Sequence, residues 1–233
     1  MTAIVSYLKS VDWQAVGLAL AILTSLIGVV TAIIKVTNHF TRHQIDRVIR
    51  YGQTIRLKHK LAKGYLQSDN RRYSHNHSSN QFQISAAFDK SENNLWVVRP
   101  KLGVEESKFE GRPIRYGQII RLENKVTSHL LHSHIGAISP MTFQQEVTGY
   151  PAAHSDNNDH WVIEHVTPLI YKCLPDWRRW KLDKHIRLVH HESNMALHSH
   201  IAQLPGQQAH EVTGFPARDE NDLWLAVEKF KHD

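Results

Sequence analysis

The sequence predicts an all-β domain, a β-trefoil, preceded by one N-terminal transmembrane α-helix. Three observations predict it. Residues 15–34 carry no charge. After residue 50 apolar and polar residues alternate with period two, and no long 3.6-residue apolar period appears. One run of landmarks returns three times at a constant spacing.

The uncharged stretch is AVGLALAILTSLIGVVTAII. Its residues, at about 1.5 Å each, match the thickness of a bilayer's hydrocarbon core. Trp13 stands at its edge, where an interfacial aromatic is expected. The run exceeds a typical leader h-region, Asp12 interrupts the basic n-region, and no clean small-x-small site follows. An uncleaved single-pass anchor is therefore expected rather than a leader or a core helix. The expected organisation is a tail over 1–12, a membrane helix over 13–36, a juxtamembrane stalk over 37–48 and the trefoil over 49–233. Segment 35–50 is basic and reads as a solvated helical continuation of the span. Lys35, Arg42, Arg47 and Arg50 against Asp46 outweigh Lys9 and Asp12, so the charge bias favours a cytoplasmic C-terminal domain. The bias is only a few charges, and the side stays open.

The trefoil rests on the repeats, expected over about 49–100, 114–167 and 180–230. IRYGQTIRL at 49–57 returns as IRYGQIIRL at 114–122 and, more weakly, as KLDKHIRLV at 181–189. Leu66, Leu131 and Leu197 head the triplets QSD, HSH and HSH. QISAAF at 83–88 corresponds to EVTGYP at 146–151 and EVTGFP at 211–216. ENNLW, NNDHW and ENDLW close the repeats at Trp96, Trp161 and Trp224. Within each repeat TIRLKH, IIRLEN and HIRLVH alternate as half-buried strands do, and the β-branched runs after each tryptophan follow an Asn/Asp turn. That makes roughly four strands per repeat. Twelve strands closed about a threefold axis leave no open sheet edge, and three repeats are too few for a propeller. The linkers 100–113 and 168–180 lie between repeats.

Composition narrows the function. Of 233 residues, 28 are Lys or Arg and 22 Asp or Glu, a formal +6, which makes no case for nucleic acid as a partner. Hydrophobic residues at 41% exclude a mostly disordered chain. Cys173 is the one cysteine, so an intramolecular disulfide and a CxxC site are both excluded. Histidine is abundant at 18 residues, a basis for pH-sensitive binding between pH 5 and 7.

LHSH, QQEVTGY and DNNDHW in the second repeat, with LHSH, EVTGF and ENDLW in the third, resemble the MIR motif. It is shared by protein O-mannosyltransferases, inositol trisphosphate and ryanodine receptors and the stromal-cell-derived-factor-two-like proteins. The resemblance covers about 50–230 and implies a β-trefoil used for binding or regulation rather than catalysis. A single span does not supply the multi-span body of the mannosyltransferases. The first repeat departs from the pattern, with Gln67, Ser68 and Asp69 in place of His-Ser-His, so a site is expected on the second lobe, the third or both.

The candidate ligand-binding residues are His132, His134, Gln145, Glu146 and Asn158 of the second repeat, and His198, His200, Glu211 and Asn221 of the third. Histidines at i and i+2 on a strand share a face. Without an acid or cysteine at ligand spacing in sequence they are expected to be structural or to touch ligand rather than to hold metal. Amides and carboxylates beside an aromatic ring suit sugar hydroxyls and a sugar's apolar face, although the tryptophans are expected in the core. Catalytic residues and cofactors are not expected. Ser133 and Ser199 point away from the adjacent histidines, and GxSxG, HExxH and P-loop patterns are absent. WRRWK at 177–181 reads as barrel closure by one or both tryptophans, with an aromatic-basic surface patch as the rival. The expected function is a membrane-anchored binding module for a glycan, a glycosylated peptide or a partner protein. The alternative is a chaperone-like accessory subunit of a glycosylation or folding complex, and less favoured is a transferase or hydrolase.

Overall fold

The computed structural model describes residues 12–166 and 177–230. The expected tail up to residue 11, Cys173 and most of the linker 168–180 lie outside them. The chain divides into two compact units, Met1–Arg47 and Val48–Asp233.

Among the described residues the first unit is a single helix, α1 (Trp13–Asp46). Its apolar part, Leu20–Asn38, has a mean hydropathy of 2.1 and is long and apolar enough to cross a membrane. The Thr31 and Thr37 hydroxyls donate to the carbonyls of Ile27 (2.7 Å) and Ile33 (3.0 Å), so these polar groups are satisfied inside the helix. Asp12 accepts the Gln14 amide at 3.0 Å, capping the first turn. Past the apolar part the helix runs without a break to Asp46, across most of the predicted stalk.

The second unit is all-β. Each lobe supplies four strands: β1 (Thr54–His59), β2 (Tyr65–Arg72), β3 (Phe82–Ala87) and β4 (Leu95–Pro100); β5 (Ile119–Asn124), β6 (His129–Ile138), β7 (Gln145–Pro151) and β8 (Trp161–His165); β9 (His185–His190), β10 (Ala196–Gln203), β11 (Ala209–Phe215) and β12 (Trp224–Phe230). The ring β1-β4-β5-β8-β9-β12 pairs antiparallel throughout and closes on itself. The hairpins β2-β3, β6-β7 and β10-β11 close a cap, because β3, β7 and β11 pair in a triangle. This is the predicted β-trefoil, and it hides strand edges that an open sheet would expose.

Alternation along the strands builds the core in threefold layers. Ile55 and Leu57, Ile120 and Leu122, and Ile186 and Leu188 are all fully buried. Trp96, Trp161 and Trp224 are fully buried as well. Each indole Nε1 donates at 2.8 Å to the carbonyl of its own lobe's Leu66, Leu131 or Leu197, so burying the ring leaves no unpaired donor. Arg56, Arg121 and Arg187 reach the turn ahead of that tryptophan, at Ser91 O, Ser155 Oγ and Asp219 O.

The hairpins join the ring at the C-terminal ends of β1, β5 and β9, through Lys58–Tyr65, Glu123–Leu130 and Val189–Ala196. The opposite end is the base, where the chain starts each lobe. There the Ile49 amide donates to Trp180 O (2.9 Å), Trp180 to Ile114 O (2.9 Å) and Ile114 to Ile49 O (3.0 Å), a closed ring of three hydrogen bonds. Trp180 is fully buried, so one tryptophan of WRRWK closes the barrel, while Trp177 stays half-buried.

Candidate functional site

β6 and β10 set out LHSH identically. His132 and His134 have ring centroids 5.6 Å apart, and His198 and His200 5.3 Å apart, as two histidines sharing a strand face require. His132 is 2% exposed, and its Nδ1 lies 2.8 Å from Oδ1 of Asp159. A carboxylate only accepts, so Nδ1 carries a proton and donates it to Asp159. The second oxygen of Asp159 accepts from Ser155 Oγ and from the Asp156 amide, both at 2.8 Å. Tyr150 stacks on His132 at 4.7 Å. The third lobe repeats this unit. His198 Nδ1 lies 2.8 Å from Asp222 Oδ1, the Asp219 amide donates to Asp222 Oδ2 at 2.7 Å, and Phe215 packs on His198 at 4.7 Å. The first lobe has neither the charge nor the ring. Asn94 Nδ2 donates to Gln67 Oε1 at 3.3 Å, and Ala87 stands where Tyr150 and Phe215 do.

Asp159 and Asp222 were not among the expected site residues. They stand 27 and 24 residues from their histidines, so a search for acids near LHSH passes over them. The signal lay in the comparison of repeats: where histidine becomes Gln67, the acid two positions before the tryptophan becomes Asn94.

His132, Asp156 and Asp159 offer ligand atoms within 4.8 Å of one another, as do His198, Asp219 and Asp222. Their oxygens are already engaged. Asp156 Oδ1 accepts the Asn158 amide (2.8 Å) and Asp219 Oδ1 the Asn221 amide (2.7 Å). In both groups the acids cap a turn and hold a buried histidine.

The remaining expected residues separate. His134 and His200 are half-buried at the rim of the dyads, and burial together with the neighbouring His132 or His198 holds both below the ordinary imidazole pKa. Asn158 and Asn221 are half-buried in the turns, beside Asp156 and Asp219. Gln145 bridges two lobes, donating to Ser133 Oγ (2.7 Å) and Ser193 Oγ (2.9 Å). Glu146 and Glu211 sit inside, 1% and 2% exposed. Glu146 accepts the Ser79 amide at 3.0 Å, and Glu211 accepts the Met141 amide at 2.9 Å. Gln83, at the same strand position in the first lobe, accepts from Gln207 at 2.8 Å. Each of these residues therefore holds the hairpin loop of the preceding lobe. The fully buried Trp161 offers no face to a ligand; the ring beside the dyad is Tyr150. The Ser133 hydroxyl donates to Glu146 O at 2.8 Å and is turned away from His132.

The MIR domain profile matches residues 71–225. A stromal cell-derived factor 2-like protein of Arabidopsis thaliana is 32% identical over 187 residues, 77% of this chain and 78% of that protein. The crystal structure of the SDF2-like protein from Arabidopsis thaliana superposes with a TM-score of 0.70 at 29% identity, over 78% of this chain and 96% of that one. Protein O-mannosyl-transferase 2 of Drosophila melanogaster is 31% identical over 193 residues, 80% of this chain. The match spans 24% of that transferase, so the chain corresponds to about a quarter of its length.

Proposed function

The chain belongs to the MIR-domain family, and we propose that it is a non-catalytic binding module for a glycan or glycosylated peptide, held at a membrane by α1. One observation carries the ligand reading. Lobes two and three each build the same His–Asp dyad under an aromatic ring, with a second, half-buried histidine at its rim, and lobe one builds neither. The half-buried His134 and His200 offer imidazole nitrogens beside the dyads, the half-buried side-chain amides of Asn158 and Asn221 add donors, and Tyr150 or Phe215 supplies an apolar face. Sugar hydroxyls and a sugar ring need those three features. The module carries the sites at its cap, away from the base where the chain arrives from α1.

The test is calorimetric titration of the intact chain in detergent with a panel of oligosaccharides and mannosylated peptides. Saturable binding that falls about tenfold or more in His134→Ala/His200→Ala, and is unchanged in Asp69→Ala, is the expected outcome. No binding to any glycan removes the reading.

A second reading, an accessory subunit that holds unfolded clients, is favoured by one observation. Ile135 and Ile201, equivalent residues directly after the two LHSH motifs, are 76% and 83% exposed, and Phe143 is 72% exposed. Apolar tips of this kind suit an extended peptide more than a sugar. Binding of unglycosylated peptides that is lost in Ile135→Ser/Ile201→Ser would favour it.

A further inference from the structure

The base of the trefoil gathers a cluster of cations. Its three equivalent segments are RVIRYGQ at 47–53, RPIRYGQ at 112–118 and RRWKLDK at 178–184. They hold eight Lys or Arg against one acid, Asp183, while the whole chain has a formal net charge of +6. The rest of the protein is therefore close to neutral. The ring of Ile49, Ile114 and Trp180 brings the segments together, and the bridges Val48–Lys181, Arg50–Pro113 and Arg115–Arg179 lock their order. Arg112, Arg115 and Arg178 are exposed. Arg178 lies over the Trp177 ring at 5.2 Å, and both line a shallow pocket of about 200 Å³ with Arg115 and Arg179. Glu110, beside Gly52, is an acid next to the base.

We infer that the base is a docking surface for anionic lipid headgroups. The occupant follows from the chain's own course. The trefoil begins at Val48, in the base itself, ten residues after Asn38, where the apolar stretch of α1 ends, and two after Asp46, where the helix ends. On the reading of α1 as an anchor, on which this inference rests, a short connection leaves this face within reach of the bilayer surface. Cations near an anionic leaflet are each attracted by about 1 kcal/mol, and an amphipathic tryptophan suits the headgroup layer. A cationic face with this threefold repetition spreads its charge over a plane, the shape that a membrane presents and a single small anion does not. Docking by the base directs the cap, with its His–Asp dyads, away from the bilayer.

The test is hydrogen exchange on the full chain in nanodiscs of phosphatidylcholine alone and with a roughly one-in-three share of phosphatidylserine. Exchange in 112–118 and 178–184 is expected to slow by about threefold or more in the anionic discs and to recover in high salt, while loop 139–144 does not respond. Arg112→Gln/Arg115→Gln/Arg178→Gln loses the response, and the matching triple Lys variant keeps it. Equal exchange in the two lipids, or a response that survives the Gln triple, overturns the proposal. Retention in phosphatidylcholine vesicles through an alkaline wash reads the anchor separately. A chain that washes out yet keeps charge-dependent protection on anionic discs overturns the anchor and leaves the docking surface. A retained chain without that protection overturns the docking surface alone.

Discussion

The Nδ1 atom of His132 lies 2.8 Å from the Oδ1 atom of Asp159, and both side chains are buried. The second oxygen of Asp159 caps the turn ahead of Trp161. One carboxylate thus holds the imidazole and the turn together. The third lobe does the same with His198 and Asp222, and the first does it with neutral amides, Gln67 and Asn94.

Asp159→Asn keeps its one oxygen on the Ser155 hydroxyl and the Asp156 amide, as Asn94 does on the Ser91 amide, and so turns its NH2 against the Nδ1–H of His132, donor facing donor. The expected cost is about 1–3 kcal/mol, read as a lower midpoint in urea denaturation. Adding His132→Gln recreates the pair that lobe one uses and is expected to recover more than half of the loss. Strict additivity of the two changes would show that the residues do not act as a unit.

Acid acts through a different pair of histidines. His59 Nε2 donates to Asn221 O at 2.8 Å, and its Nδ1 accepts the Ala62 amide at 2.9 Å. His190 Nε2 donates to Asn158 O at 3.0 Å, and its Nδ1 accepts the Ser193 amide at 3.3 Å. Both rings are buried in the neutral form, and burial lowers each pKa to about 4. Below the ordinary imidazole pKa of about 6.5 the unfolded chain takes up protons that the folded chain refuses. Stability is therefore fully present above that pH and falls down to about pH 4, by up to about 1.4 kcal/mol per pH unit for each ring. Asn124 fills the equivalent place in lobe two, donating to Asn93 O at 2.8 Å and accepting the Val126 amide at 3.1 Å. His190→Asn is expected to keep the contacts and flatten the fall in thermal midpoint between pH 6.5 and 4. An unchanged profile would mean that other groups set the acid response.

Glu146→Gln tests the hairpin ties. Gln83 does the same work in lobe one, so the glutamine variant is expected to stay within about 1 kcal/mol of the parent. Glu146→Ala removes the acceptor of the Ser79 amide, and exchange of amides 75–80 is expected to quicken while the barrel strands stay protected. Equal slow exchange in both variants would show that the loop is held by other contacts.

The trefoil was legible because its signals are local and threefold. Period-two alternation marked Ile55 and Leu57 and their counterparts as core, and the recurrence of Trp96, Trp161 and Trp224 marked a buried layer. The apolar helix was legible for the same reason, since length and hydropathy are properties of contiguous residues. The site was legible only by half. LHSH marked β6 and β10 as carrying the same candidate residues, yet the same triplet does not say that Asp159 and Asp222 cap their turns beneath it. Glu146 and Glu211 read as candidate ligand contacts, although they turn inward to hold the neighbouring lobe's hairpin. A strand pattern says which face a side chain takes, and closure of the ring decides which lobe meets that face. The sequence by itself determined the repeats, the strands and the apolar helix. Only the tertiary structure decided the partners of the buried polar groups and gathered the dispersed cations at the base, because those pairings join segments tens of residues apart and exist only once three lobes close about one axis.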